Sequence, residues 1–170
     1  MRTEYILQQE VDHVLAALMP QNRLIMELAL HTGLRIGDVL GMTPDMVKPQ
    51  GWITEAKTGK RRQYGIPAPL LERIRHQMSE DWAFPGRNPA KPKTRQAIWA
   101  DVKRAAKAFR LPQNVAPHSF RKAYAVELMK KYGDIERVQR ILCHSRPSVT
   151  AIYAMADILL ERKLAAKRKI

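Results

Sequence analysis

Apolar and polar positions along the chain follow first a helical rhythm, then a shorter one, then a helical rhythm again. From Gln8 to Met19 the apolar residues Val11, Val14, Leu15 and Leu18 recur at helical spacing until Pro20 interrupts them. A second helix is expected from about Asn22 through Leu24, Ile25, Leu28 and Ala29 to Gly33, a residue that accepts the left-handed conformation of a helix end. A short helix from Arg35 to Gly41 follows, so Arg35 opens a helix at a sharp corner. Past Thr43 and Pro44 the pattern becomes strand-like, around Met46 to Lys48, Trp52 to Glu55 and Gln63 to Ile66, with Gly51 and Gly59 as separators. These pieces predict a small antiparallel sheet.

Helical spacing returns at Pro69 to Met78, and a proline-rich loop from Phe84 to Pro92 leads to Thr94, a suitable N-cap. The next helix aligns Ile98, Val102, Ala105 and Phe109 in one apolar stripe and turns Lys103, Lys107 and Arg110 elsewhere. Further helices are expected at Pro117 to Lys131, closed by Gly133, at Asp134 to Leu142, at Ser148 to Met155 beyond Pro147, and at Ile158 to Lys169. The pattern therefore predicts a mainly helical α+β domain with a small antiparallel β-sheet. It shows neither an internal repeat nor a low-complexity segment.

Composition narrows the class. With 170 residues the chain has the length of one domain with a real core. Lys and Arg number 30 against 16 Asp and Glu, a net charge of +14, which favours a polyanionic partner such as nucleic acid. The single cysteine, Cys143, excludes an intramolecular disulfide and leaves too few sulfurs for a cysteine-built zinc site. No apolar run approaches the ~18 residues of a membrane span. A soluble protein of the cytoplasm, associated with the nucleoid, is the expectation.

Four separated pieces carry the candidate chemistry: HTGLRIGDVLGM at 31–42, TEAKTGKRR at 54–62, HSFRKAY at 118–124 and ILCHSRPSVTAIYAMAD at 141–157. His118 and Arg121 are three residues apart, so on one helix they project from the same face. In this order and at these separations the pieces resemble the tyrosine recombinase or phage integrase family, over nearly the whole chain. The resemblance implies transfer of a DNA phosphodiester to a protein hydroxyl, through a transition state that gathers negative charge on the non-bridging oxygens.

It assigns a role to each matching residue. Arg35 and Arg121 correspond to the family's two arginines, planar and permanently charged forks that clamp phosphate. Tyr153, nine residues beyond His144, corresponds to the nucleophile that becomes joined to the 3′ phosphate. Lys57 corresponds to the catalytic lysine that protonates the departing 5′ oxygen, although Lys60, Arg61 and Arg62 follow at once. His118 corresponds to a general base or phosphate-positioning group and His144 to a hydrogen-bond donor; which of them moves the proton is left open by the sequence. Asp38, three residues past Arg35, matches an acidic position whose expected task is to orient an arginine or histidine without touching DNA.

Basic residues outside these motifs are expected to track the DNA backbone: Lys60, Arg61 and Arg62 beside the lysine motif, and Lys93, Arg95, Lys103 and Lys107. The last four belong to a stretch from Arg87 to Arg110 that holds eight Lys and Arg residues and one acidic residue, Asp101. No metal ligands and no cofactor are expected, because a phosphotyrosine link conserves the energy of the broken phosphodiester. The partner implied is double-stranded DNA, with a homo-tetramer assembled on it and a monomer free in solution.

Two departures from the family pattern stand out. Cys143 occupies a position where the family has glycine, and is read as a buried, small apolar residue. Only about twenty residues precede the second helix, so the expectation is one catalytic domain over residues 1–170 without the N-terminal core-binding domain, as a fragment or as a short recombinase. Taken singly, Arg35, His118 and Tyr153 also fit a solvated charge, a helix-start residue and half-buried packing; it is their combination that points to chemistry. Tyr5, Tyr64, Tyr124 and Tyr132 lack the His144 spacing, and His13, His31 and His76 are expected to have no chemical task. The rival functions are a DNA-binding regulator on the same fold that no longer cuts, and relaxation of supercoils in the manner of a type IB topoisomerase.

Overall fold

The computed structural model describes residues 3–143. In chain order the elements are α1 (Gln8–Ala17), α2 (Pro20–Thr32), α3 (Ile36–Leu40), a 3-10 turn (Pro44–Met46), β1 (Gln50–Thr54), β2 (Arg61–Gly65), α4 (Ala68–Arg75), α5 (Arg95–Ala108), α6 (Pro117–Tyr132) and α7 (Ile135–Leu142). The architecture is mainly helical with a small antiparallel sheet, as the apolar periodicity predicts. The helices expected at Ser148 to Met155 and Ile158 to Lys169 lie outside the described residues.

Helix α2 is the axis of the domain. It buries Leu24, Ile25, Met26, Leu28 and Ala29, a wider apolar surface than a one-sided helix carries, and it packs against α1, α3, α4, α6 and β2. Pro20 does more than end the preceding pattern: it is the first residue of α2, where its missing N–H has no intrahelical acceptor to satisfy. Helix α2 ends at Gly33 with φ of 62°. A Cβ there would lie 2.2 Å from Cδ1 of Tyr124, so glycine both permits the left-handed turn and lets α6 close onto α2. Tyr124 thus serves packing.

The hairpin differs from expectation at its start. Met46 to Lys48 form no strand, because Pro44 fixes a helical φ and the Met46 N–H closes back on the Thr43 carbonyl at 3.0 Å. Gly51 belongs to β1 instead of separating two pieces. It pairs with Tyr64 in β2, and a side chain there would meet the Tyr64 hydroxyl, which donates to the Met46 carbonyl at 2.6 Å. Both strands alternate exposed and buried residues, and the register sets Ile53 opposite Arg62 and Thr54 opposite Arg61.

Thr94 caps α5, accepting the Ala97 N–H, and Ile98, Val102 and Ala105 are buried as the stripe requires. Phe109 is not: it lies one residue past the helix and is 41% exposed, with its ring stacked on His13 at 4.9 Å. Asp101, the one acid of the basic stretch, is buried and ties α5 to the start of α2. It accepts the Met19 N–H at 3.0 Å, the Asn22 amide at 2.7 Å and the Arg104 guanidinium.

Helix α7 is closed by Cys143, buried, with φ of 51°. The backbone there is left-handed, a conformation that glycine adopts more readily than cysteine. A non-glycine residue pays roughly 1–2 kcal/mol for that conformation.

Candidate active site

The corner after Gly33 delivers Arg35 to the head of α3, the tight connection between β1 and β2 delivers Lys57, and the first turns of α6 deliver His118 and Arg121. These four side chains, with Arg95 from the start of α5, line one cavity of about 450 Å³ whose wall also includes Gly37, Asp38 and Ala56. Residues separated by up to 86 positions are thereby gathered around a space wide enough for a phosphodiester. His144 and Tyr153 lie outside the described residues.

Beneath the cavity sits Glu55, fully buried. Arg35 Nη1 donates to its Oε2, the Thr58 hydroxyl donates to the same oxygen at 2.9 Å, and Arg121 Nη1 donates to Oε1 at 3.3 Å. Arg62 Nη1 is 3.8 Å from Oε1. Burial pushes the Glu55 carboxyl upward, but the hydrogen bonds from Arg35 and Thr58 and the charges of Arg121 and Arg35 outweigh it and hold the group below its usual range. Glu55 is therefore an anion shared by three arginines.

Arg121 is 2% exposed and joins two helix ends. Its Nη1 also donates to the Gly33 carbonyl at the end of α2, and its Nη2 donates to the Leu142 carbonyl at the end of α7 at 2.5 Å. A cation at two helix C-termini is favoured by both dipoles. Its Nε is buried without a partner among the described residues. Burial, and then the charge of Arg35, lower the Arg121 pKa to about 10, so it remains a cation at neutral pH.

His118 faces the cavity with its ring accessible yet walled by protein. Loss of hydration is the largest cause of its lowered pKa, followed by the charges of Lys122, Arg121, Arg35 and Lys57, which together bring it to about 4. A histidine in this setting is neutral at physiological pH and can accept a proton.

Asp38 is buried, but its partner is not the arginine or histidine anticipated from sequence. Its Oδ1 accepts the Ala56 N–H at 3.0 Å, while Oδ2 has no partner among the described residues. It anchors the hairpin connection next to Lys57. The carboxylate that holds an arginine is Glu55, which the sequence reading passed over although it lies inside the TEAKTGKRR piece. The signal was present: with period two, Gly51, Ile53 and Glu55 share the inward side.

Placement also sorts the basic residues expected on DNA. Lys60, Arg61, Arg95 and Lys107 are exposed. Arg61 lies over the Trp52 ring, 5.1 Å from its centroid. Lys103 is half-buried, donating to Asn114 and lying 5.6 Å from the Trp99 centroid, and Lys93 is half-buried and donates to Gln21. Arg62 must be corrected: it is 5% exposed and donates to the Thr32 and Gly33 carbonyls, so it is turned away from any DNA surface. The strand alternation that exposes Arg61 forces Arg62 inward. Among the described residues no group of three or more His, Cys, Asp or Glu side chains is placed to hold a metal ion, and no helix is long and apolar enough to cross a membrane.

The chain also matches known proteins in sequence and in fold. Residues 4–158 match the model of the phage integrase family. The chain is 30% identical over 152 residues to a putative integrase/recombinase, y4qK, of Sinorhizobium fredii, covering 85% of this chain and 49% of that protein. It is 26% identical over 165 residues to the tyrosine recombinase XerD of Shewanella oneidensis, covering 86% of this chain and 55% of that one. The chain thus spans about half the length of these curated relatives. Among solved structures, a lambda integrase dimer bound to a COC′ core site superposes with a TM-score of 0.76 at 22% identity, over 90% of this chain and 48% of that one. That likeness establishes the fold.

Proposed function

The chain belongs to the phage integrase family, and from that premise we propose that it is the catalytic part of a site-specific DNA recombinase that cuts and rejoins duplex DNA through a 3′-phosphotyrosine intermediate. The observation that carries the proposal is the convergence of Arg35, Lys57, His118 and Arg121 on one cavity. Arg35 and Arg121 neutralise the charge that gathers on the non-bridging oxygens as the Tyr153 phenolic oxygen attacks phosphorus. The bond from phosphorus to the 5′ oxygen breaks, and Lys57 supplies the proton that leaves with that oxygen. Neutral His118 takes the phenolic proton or orients the phosphate, and His144 donates a hydrogen bond to it.

Because one phosphodiester is exchanged for another, the 5′ hydroxyl of a second strand can attack the phosphotyrosine and reseal DNA without an external energy source or a redox cofactor. Lys60, Arg61, Arg95 and Lys107 contact the flanking backbone. The working assembly is a tetramer on two duplexes, formed from monomers on DNA.

The test is a nicked duplex that traps the covalent intermediate by releasing the cleaved 5′ end. Wild-type protein is expected to give a denaturation-resistant adduct, and Tyr153→Phe none. An adduct that persists in Tyr153→Phe removes that tyrosine from the reaction. DNA binding with no adduct on any candidate site would instead place the chain among regulators.

A further inference from the structure

Glu55 has no assigned task in the chemistry above, yet it is the most completely buried charge of the site. We propose that Glu55 is a positioning residue for strand cleavage: its carboxylate acts as a fixed strut between Arg35 and Arg121, staying behind the cavity while the DNA phosphate takes the guanidinium edges that face it. The inference rests on the recombinase reading and concerns the same site.

Three observations carry it. Each carboxylate oxygen holds a different arginine, Oε2 that of α3's cap and Oε1 that of α6, so one side chain sets the spacing between guanidiniums from distant parts of the chain. The carboxylate is itself immobilised, by the Thr58 hydroxyl at 2.9 Å and by a backbone closed on both sides: the Glu55 N–H donates to the Lys60 carbonyl, and the Glu55 carbonyl accepts from Thr58 and Gly59. Finally, Glu55 does not line the cavity, whereas Arg35 and Arg121 do. The Arg35 side chain keeps 22% of its surface exposed, and Arg121, on the cavity wall, has an Nε without a partner among the described residues, so Glu55 does not use up either guanidinium.

Two guanidiniums pointed at one small volume repel each other, and the charge of Arg35 already lowers the Arg121 pKa. A fixed anion behind them allows both to be in place before DNA arrives, which removes reorganisation from the reaction step. The same anion subtracts one charge from the site. Its removal should therefore leave binding equal or tighter while slowing cleavage, a divergence that simple loss of fold does not produce.

The experiment measures the single-turnover rate of adduct formation on the nicked duplex, the duplex dissociation constant and the Tm for wild type, Glu55→Gln and Thr58→Val. An amide in place of the carboxylate can accept from one arginine but presents a donor to the other. Glu55→Gln is expected to cleave about 10- to 100-fold more slowly, by analogy with the loss of groups that orient metal ligands, with DNA affinity unchanged or raised. Thr58→Val, which keeps the charge and loosens the strut, should slow cleavage severalfold with little change in Tm.

Cleavage by Glu55→Gln at or above the wild-type rate overturns the proposal and makes the carboxylate a plug. Parallel loss of binding, cleavage and Tm in both variants overturns it in favour of a role in folding alone. If Glu55→Gln does not fold, Thr58→Val decides, and an unchanged rate there overturns it. If wild type forms no adduct, it is the recombinase reading that fails, and nitrogen-15 spectra of the guanidiniums decide the strut separately. Distinct Nη signals of Arg35 and Arg121 that average in Thr58→Val support it, and unchanged spectra overturn it.

Discussion

The outer face of the hairpin and the interior beneath it receive adjacent residues of one strand and use them oppositely. Arg61 points outward, its guanidinium over Trp52 and its charge in water. Arg62 points inward, where two carbonyls at the end of α2 and the shared anion Glu55 surround it. In water a guanidinium is cheap to keep and worth little to stability, yet it remains available to a phosphate. In the interior its charge must be met by acceptors, and once paired it holds other groups in place. The same contrast separates exposed Lys107 from the Arg35, Arg121 and Glu55 cluster. The residue type does not decide the role; the side of the strand or helix does.

The contrast breaks if the neighbours behave alike when removed. Arg62→Ala takes its donors from the Thr32 carbonyl and from the Gly33 carbonyl, which keeps only Arg121, and leaves Glu55 with one cation fewer, and it is expected to lower stability by about 3 kcal/mol, with little direct effect on DNA affinity. Arg61→Ala should change stability by no more than about 0.5 kcal/mol, the loss of an exposed stacking contact. Denaturant unfolding of the two variants beside wild type measures both. Equal small effects would mean that the interior arginine is not needed to hold α2 and the hairpin together.

Acid sharpens the same comparison, because His118 and Glu55 are both held below their ordinary values. The His118 pKa falls from its ordinary value to about 4, so between the two values the unfolded chain binds more protons than the folded one. Stability contributed by neutral His118 is complete above about pH 6.5 and declines as pH drops toward 4. Glu55, held below its ordinary value, acts in the same direction: its contribution is lost as pH falls through its folded pKa. Thermal melts from neutral pH downward are expected to show a falling Tm across this window, with a shallower slope in His118→Asn. An identical slope in that variant would show that the site does not hold the ring neutral.

Much of this arrangement was legible in the chain. Gly33 as a helix end, Thr94 as a cap and the gathering of residues 35, 57, 118 and 121 follow from local rules and from motif resemblance. What escaped was partner choice across the fold. Counting charges in TGKRR suggested one outward basic patch, whereas the period of two sends Arg62 and Glu55 inward to meet each other. Asp38 was recognised as a supporting acid but assigned to a side chain, because nothing in a linear pattern shows that the Ala56 N–H comes within 3.0 Å. Phe109 kept the helical spacing but lay beyond the helix end, where periodicity no longer governs burial.

The smallest expected effect tests the outer face itself. Lys107 is exposed on α5, and Lys93, from the same basic stretch, is half-buried and donates to Gln21, with burial as the main cause of its lowered pKa. A lysine that contacts phosphate releases condensed counterions, so its removal should reduce the slope of log affinity against log salt by roughly 0.9 per contact. Lys107→Ala is expected to show that reduction, with adduct formation at saturating DNA unchanged, since it lies outside the cavity. Lys93→Ala should alter the slope less, because Lys93 is already engaged within the protein. Were Lys93 to carry the larger salt dependence, exposure in the free protein would be the wrong guide to which cations meet DNA, and the division between outer and inner charges would need to be redrawn around a domain that rearranges on binding.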